Sequence, residues 1–168
     1  YPSLIKRLVL VGANYQVEGM KKETLKKIKN DYIKNSFISS FSEKDKDLKK
    51  KNLLMLKHPN FQEFELEKIK VHTLNVFGNN DCIEKNHSQK LSKLLNAYEI
   101  EFKDASHDLI LEYPDLFAEK VISFFKINSN KNNQELELVE YNQIDSFINY
   151  LDYKDEKVIA LLMVALMV

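Results

Sequence analysis

Asp81 and His107 are the two side chains of this sequence best placed to do chemistry together. Asp81 lies in Val71–Ile83 (VHTLNVFGNNDCI) and His107 in Phe102–Phe125 (FKDASHDLILEYPDLFAEKVISFF). Each segment reads as a buried strand that delivers one polar side chain to the loop beyond it. A carboxylate beside an imidazole fixes the tautomer able to accept a proton, which is how a hydrolase orients its general base. Asp81 is therefore the candidate acid and His107 the candidate base. Aspartate after a strand also serves as a helix N-cap, and the two roles can coexist.

The remaining candidates are weaker. Cys82 is the only cysteine, which excludes an internal disulfide and a zinc cluster built on several thiolates. It follows Asp81 on a loop facing the candidate site, but the sequence places no histidine to activate it, so it reads as a bystander thiol. His87 falls on the apolar face of a helix and His58 precedes a proline in a turn; both read as structural. His72 is borne by a strand and packs or faces solvent. No H-x-x-x-H or facial carboxylate spacing appears, so no metal and no cofactor are expected.

The elements that must position the pair follow from the apolar pattern. Leu8–Gly12 is a short continuous apolar run suited to a strand buried on both faces, and Val71–Phe77 is a second. Ala97–Lys103 alternates and reads as a third strand near a sheet edge. Between the first two lies an excursion over about 15–66. It has helical spacing at Leu25, Ile28 and Tyr32, a charged stretch Ser42–Asn52 that makes a loop or exposed helix, and Pro59 as a breaker. Lys85–Leu95 reads as a helix with His87, Leu91, Leu94 and Leu95 on one face. Pro114 opens a last helix with the stripe Phe117, Val121, Phe124 and Phe125. Strand, helix, strand, helix implies a parallel, right-handed α/β arrangement.

Tyr1–Gly12 (YPSLIKRLVLVG), the Gly78-x-x-Asp81 loop and the His107 loop before Glu112-Tyr113-Pro114 together resemble the last third of an α/β-hydrolase, over about residues 1–126. The first motif resembles the strand after the nucleophile helix, the second the acid loop, and the third the histidine loop. The resemblance implies a partial hydrolase fold: a three-stranded parallel sheet, a small helical cap over about 15–66, and Asp81 and His107 as catalytic residues. It implies a serine esterase or related hydrolase of a small ester or thioester. Two positions depart from the pattern: His72 stands where proline often precedes the threonine, and Ser106 where glycine often precedes the histidine. The sequence holds no G-x-S-x-G. Ser106 cannot stand in for it, because loop neighbours do not aim their side chains at each other. The segment is accordingly expected to be inert by itself, with the nucleophile and oxyanion hole supplied by sequence outside it.

Lysine plus arginine equals aspartate plus glutamate, 25 each, so no global field attracts nucleic acid or an anionic membrane. The charges are segregated: 21–57 carries twelve lysines against five acids, and 135–156 is mainly acidic. Solvated helix faces are the plain reading of such segregation. A lone cysteine and no visible signal or transmembrane segment point to the cytoplasm. Residues 127–135 read as a polar linker and 136–168 as a helical tail, with one amphipathic helix at Ile144–Leu151 and an all-apolar helix at Val158–Val168. The tail weakly resembles the opening of a tyrosine recombinase catalytic domain, without that family's arginine motif. The alternatives to a hydrolase fragment are a non-catalytic interaction module with a helical docking tail, or a fused recombinase piece. The open edge of the first strand predicts that the tail folds back over it or that the chain self-associates.

Overall fold

In a computed structural model, residues 5–38, 42–126 and 161–164 are described. The three strands expected from the apolar runs are present: β1 (Arg7–Val11), β2 (His72–Gly78) and β3 (Tyr98–Phe102). All pair in parallel, β1 with β2 from Arg7↔His72 to Val11↔Val76, and β2 with β3 from Leu74↔Tyr98 to Gly78↔Phe102. Parallel strands require crossovers, and helices supply them, so both faces of the sheet are covered. Alternate residues of the central strands divide between two cores. Val9, Val11, Leu74 and Val76 pack with Leu109, Val121 and Phe124, on α5 (Leu109–Glu112) and α6 (Pro114–Lys126). Leu10 faces the other way, toward Leu66, Leu91 and Leu95, on or beside α3 (Glu63–Leu66) and α4 (Lys85–Leu94).

Two polar contacts lock helices to this sheet. Asn75 is buried in β2, and its amide donates to the Ser88 carbonyl at 3.0 Å and to Ser92 Oγ at 2.9 Å, fastening α4. Arg7 donates to the Phe124 carbonyl, and its guanidinium lies 5.5 Å from the centre of the Phe124 ring, fastening α6. Phe124 is itself 1% exposed, and full burial of such a side chain is worth about 1.5–3 kcal/mol.

The excursion is a pair of packed helices, α1 (Lys22–Ile38) and α2 (Glu43–Lys57). The charged stretch Ser42–Asn52 is helical rather than a loop. Ser42 caps it by accepting from the Asp45 N–H at 3.1 Å, so the charges occupy a solvated helix face. His58 ends α2 just before Pro59.

The all-apolar helix expected at Val158–Val168 is corrected over its middle. Leu161–Val164 is a strand, β4, paired in parallel with β1 from Leu8↔Leu161 to Val11↔Val164, giving the order β3-β2-β1-β4. An unbroken apolar run has no period that separates strand from helix. The unpaired N–H and C=O groups along β1 decide for a strand, because pairing satisfies them. The expected linker at 127–135 and helix at Ile144–Leu151 lie outside the described residues. Deleting 161–168 is expected to expose the β1 edge and produce concentration-dependent self-association. Sedimentation at several concentrations checks this; a truncated chain that stays monomeric throughout contradicts it.

Candidate active site

The site is assembled where the loops after β1, β2 and β3 meet at one end of the sheet. The β2 loop is clamped to the β3 loop by backbone bonds. Asn79 N–H donates to the Phe102 carbonyl at 3.1 Å and Asn80 N–H to the Ala105 carbonyl at 2.9 Å. Asp104 N–H returns a bond to Asn79 Oδ1 at 2.8 Å. This approach is so close that a Cβ on Gly78 would stand 2.2 Å from the Ala105 carbonyl oxygen, which leaves glycine as the residue that fits.

Asp81 Oδ1 then lies 2.8 Å from His107 Nδ1. The acid is 1% exposed and the imidazole 14%. Burial alone would raise the Asp81 carboxyl above its ordinary range. The His107 hydrogen bond and charge, the Ile83 N–H at 3.0 Å and the Cys82 thiol outweigh it and hold the group below that range. Asp81 is therefore ionised at neutral pH and can only accept. Nδ1 must carry the proton that it donates to Asp81, which puts the basic lone pair on Nε2. Asp81 Oδ2 has no donor in ordinary hydrogen-bond geometry among the described residues.

Other residues hold this pair without being chemical themselves. Gly12 ends β1 at φ +52°, donating its N–H to the Val76 carbonyl at 2.9 Å. A Cβ there would meet His107 Nδ1 at 2.9 Å and Asp81 Oδ2 at 3.2 Å. Behind the imidazole, Glu112 accepts from the Ser106 N–H at 2.8 Å and from its hydroxyl at 2.6 Å. Those two bonds pull the Glu112 carboxyl below its usual range. They also account for Ser106, which is turned to Glu112. The sequence marks Glu112 only as the start of Glu112-Tyr113-Pro114; its bonds to Ser106 exist only once the loop at 106–108 and α5 bring it back.

Cys82 changes its standing. No histidine neighbours it in sequence, yet folding brings its sulfur, an Asp81 oxygen and a His107 nitrogen within 4.8 Å of one another. These are the atoms that could hold a metal, but Asp81 and His107 already share a proton there, which a cation would have to displace. His72 is exposed on β2. His87 stacks on Tyr15 at 4.0 Å between ring centres and lies 3.4 Å from the Tyr15 N–H. Burial, with the Lys90 charge adding to it, lowers its pKa to about 4.

Two cavities of about 540 Å³ each open beside His107. His58, exposed at the end of α2, lines the more apolar one.

No protein-family profile matches the sequence, and no curated protein does either. Solved structures do. An α/β-hydrolase enzyme from a Medee basin deep-sea metagenome library superposes at a TM-score of 0.59 with 16% identity, over 80% of this chain and 61% of its own. Another, from the metagenome of sediments from the lagoon of Mar Chica, Morocco, superposes at 0.53 with 20% identity, over 75% of this chain and 52% of its own. The chain thus spans roughly half to three-fifths of these two structures. Nothing among these findings supports the likeness of the tail to a tyrosine recombinase.

Two outcomes test the geometry. Wild-type protein is expected to show a low-field imidazole N–H proton signal that Asp81→Ala abolishes and Gly12→Ala shifts or broadens, by proton NMR. For His87, the folded pKa near 4 lies below the ordinary 6.5. The unfolded state therefore binds more protons between those values, and stability rises with pH across that window. The loss on acidification is on the order of 1–3 kcal/mol for a half-buried ring. Denaturant midpoints of His87→Phe, which keeps the stack, should be flatter between pH 4 and 6.5 than those of wild type. The strand order, the parallel register and the placing of Asp81 and His107 beyond strand ends give this chain part of the α/β-hydrolase fold.

Proposed function

We propose that the complete protein is a serine hydrolase of a small ester or thioester, in which Asp81 orients His107 and His107 acts as general base. The observation that carries this reading is the 2.8 Å contact between Nδ1 and a buried, ionised carboxylate, beside a cavity. The nucleophilic serine belongs, on this reading, to sequence outside these 168 residues. Its hydroxyl proton passes to Nε2 as its oxygen bonds to the acyl carbon. The imidazolium returns that proton to the departing alkoxide or thiolate, leaving an acyl-serine. Water then gives up a proton to Nε2, attacks the acyl carbon and releases the acid, restoring serine and imidazole. The charge on Asp81 stabilises the imidazolium in both halves. The helical pair α1–α2 serves as the cap over the site, and a lone cysteine suits a cytoplasmic protein. Among the described residues no helix is long and apolar enough to cross a membrane.

In the complete protein, His107→Ala should lower turnover of an activated ester about 10⁴-fold, and Asp81→Asn nearly as much through loss of tautomer control. Cys82→Ala should stay within about threefold of wild type, because a thiol beside the acid takes no part in these steps. Near-normal turnover for His107→Ala refutes the assignment, and collapse in Cys82→Ala moves the nucleophile to the thiol. The 168-residue chain alone should not be labelled by a fluorophosphonate.

A further inference from the structure

The two cavities beside His107 differ in chemistry, and α2 forms the wall they share. Lys51 and Met55, one turn apart, border both. With 3.6 residues per turn, Leu54 and His58 fall on one side of that strip and Leu48 and Asn52 on the other. On the first side Met20, Leu54, Phe61 and Ile83 make an apolar chamber. Leu54 is 60% exposed and Phe61 48%, an apolar margin open to water that an apolar ligand would cover. On the second side Lys27, Lys34 and Lys51 stand against two carboxylates, Asp31 and Asp108. The stretch 21–57 that builds this wall carries twelve lysines against five acids, in a chain whose charges balance only when summed over its whole length. The second cavity thus holds three lysines to the first cavity's one, and the first has the more apolar lining, with His107 where they meet.

We infer that the site takes an anionic amphiphile, with an apolar chain in the Leu54–Phe61 cavity and a phosphate or carboxylate in the Lys27–Lys34–Lys51 cavity. The bond to be cut lies between them at His107, and that last clause alone rests on the proposed hydrolysis. Lys51 is the residue that reads the charge, because it reaches both compartments. Lys27 and Lys34 are exposed on α1 and act at longer range.

Calorimetric titration of the 168-residue chain at low salt tests this without turnover, using octyl phosphate, octyl glucoside and inorganic phosphate below any micelle concentration. Octyl phosphate is expected to bind about tenfold or more tighter than either of the others and to shift the His107 imidazole resonances. Lys51→Gln should weaken octyl phosphate about fivefold and leave octyl glucoside unchanged. The double change Lys27→Gln, Lys34→Gln touches only exposed side chains, so the fold is retained, and should weaken it in the same direction. Equal affinity for octyl phosphate and octyl glucoside overturns the anionic half, and equal affinity for octyl phosphate and phosphate overturns the apolar half. Absence of binding, or binding that leaves His107 unmoved, overturns both. A chain that passes within a complete protein lacking esterase activity sinks the hydrolase reading alone. A working hydrolase indifferent to the head group sinks this inference alone.

Discussion

A carboxylate removed from water stays ionised only where donors replace the water it has lost, and Asp81 is almost wholly removed. Desolvation by itself would push its pKa up toward the neutral form, and a neutral Asp81 could donate to Nδ1 and favour the opposite tautomer of His107. The imidazole N–H and the Ile83 amide reverse that tendency. Charge-assisted bonds of this kind are about twice as strong as neutral ones, so the contact also fixes the distance between two loops from different strands. The remaining features of this end of the sheet are conditions for that contact. Parallel register brings β2 and β3 to an end together, so both loops emerge on the same side.

Close packing of backbone does the rest. The β2 loop can reach the β3 loop only because Gly78 has no side chain to strike the Ala105 carbonyl. The β1 loop can pass beneath the pair only because Gly12 has none to strike His107 and Asp81. Any larger residue at either place would push the two functional groups apart rather than merely destabilise a turn. Beyond β1, Lys21 N–H donates to the Cys82 carbonyl at 2.8 Å and Glu84 N–H to the Gly19 carbonyl at 2.8 Å. The path into the α1–α2 excursion is thus stitched by main-chain bonds to the loop that carries Asp81.

The strands, their parallel order and the pairing of Asp81 with His107 were legible in the sequence. Apolar runs ending in polar loops state both burial and direction, and a strand-end position confines a side chain to one end of a sheet. What was not legible depends on contacts through space. The apolar run at 158–168 carries no period, so the strand at Leu161–Val164 is set by an edge of β1 more than 140 residues away in the chain. Gly12 reads as the end of a strand, whereas its place under the imidazole exists only once three loops have met. Cys82 reads as isolated because the histidine nearest to it in space is 25 positions away in sequence.

The two half-buried histidines show how neighbours, rather than residue type, set what an imidazole does. His87 lies flat against Tyr15, half-buried and with the Lys90 charge near it, and burial and that charge both penalise a proton. It is held neutral and behaves as an aromatic packing residue that ties the β1 loop to α4. His107 has an ionised carboxylate 2.8 Å away, which pins one proton on Nδ1 and offers compensation for a second on Nε2. The first ring supports the frame because it cannot respond to proton supply near neutrality. The second can accept a proton without leaving a buried positive charge unpaired, since its counter-charge is already in place before any proton arrives.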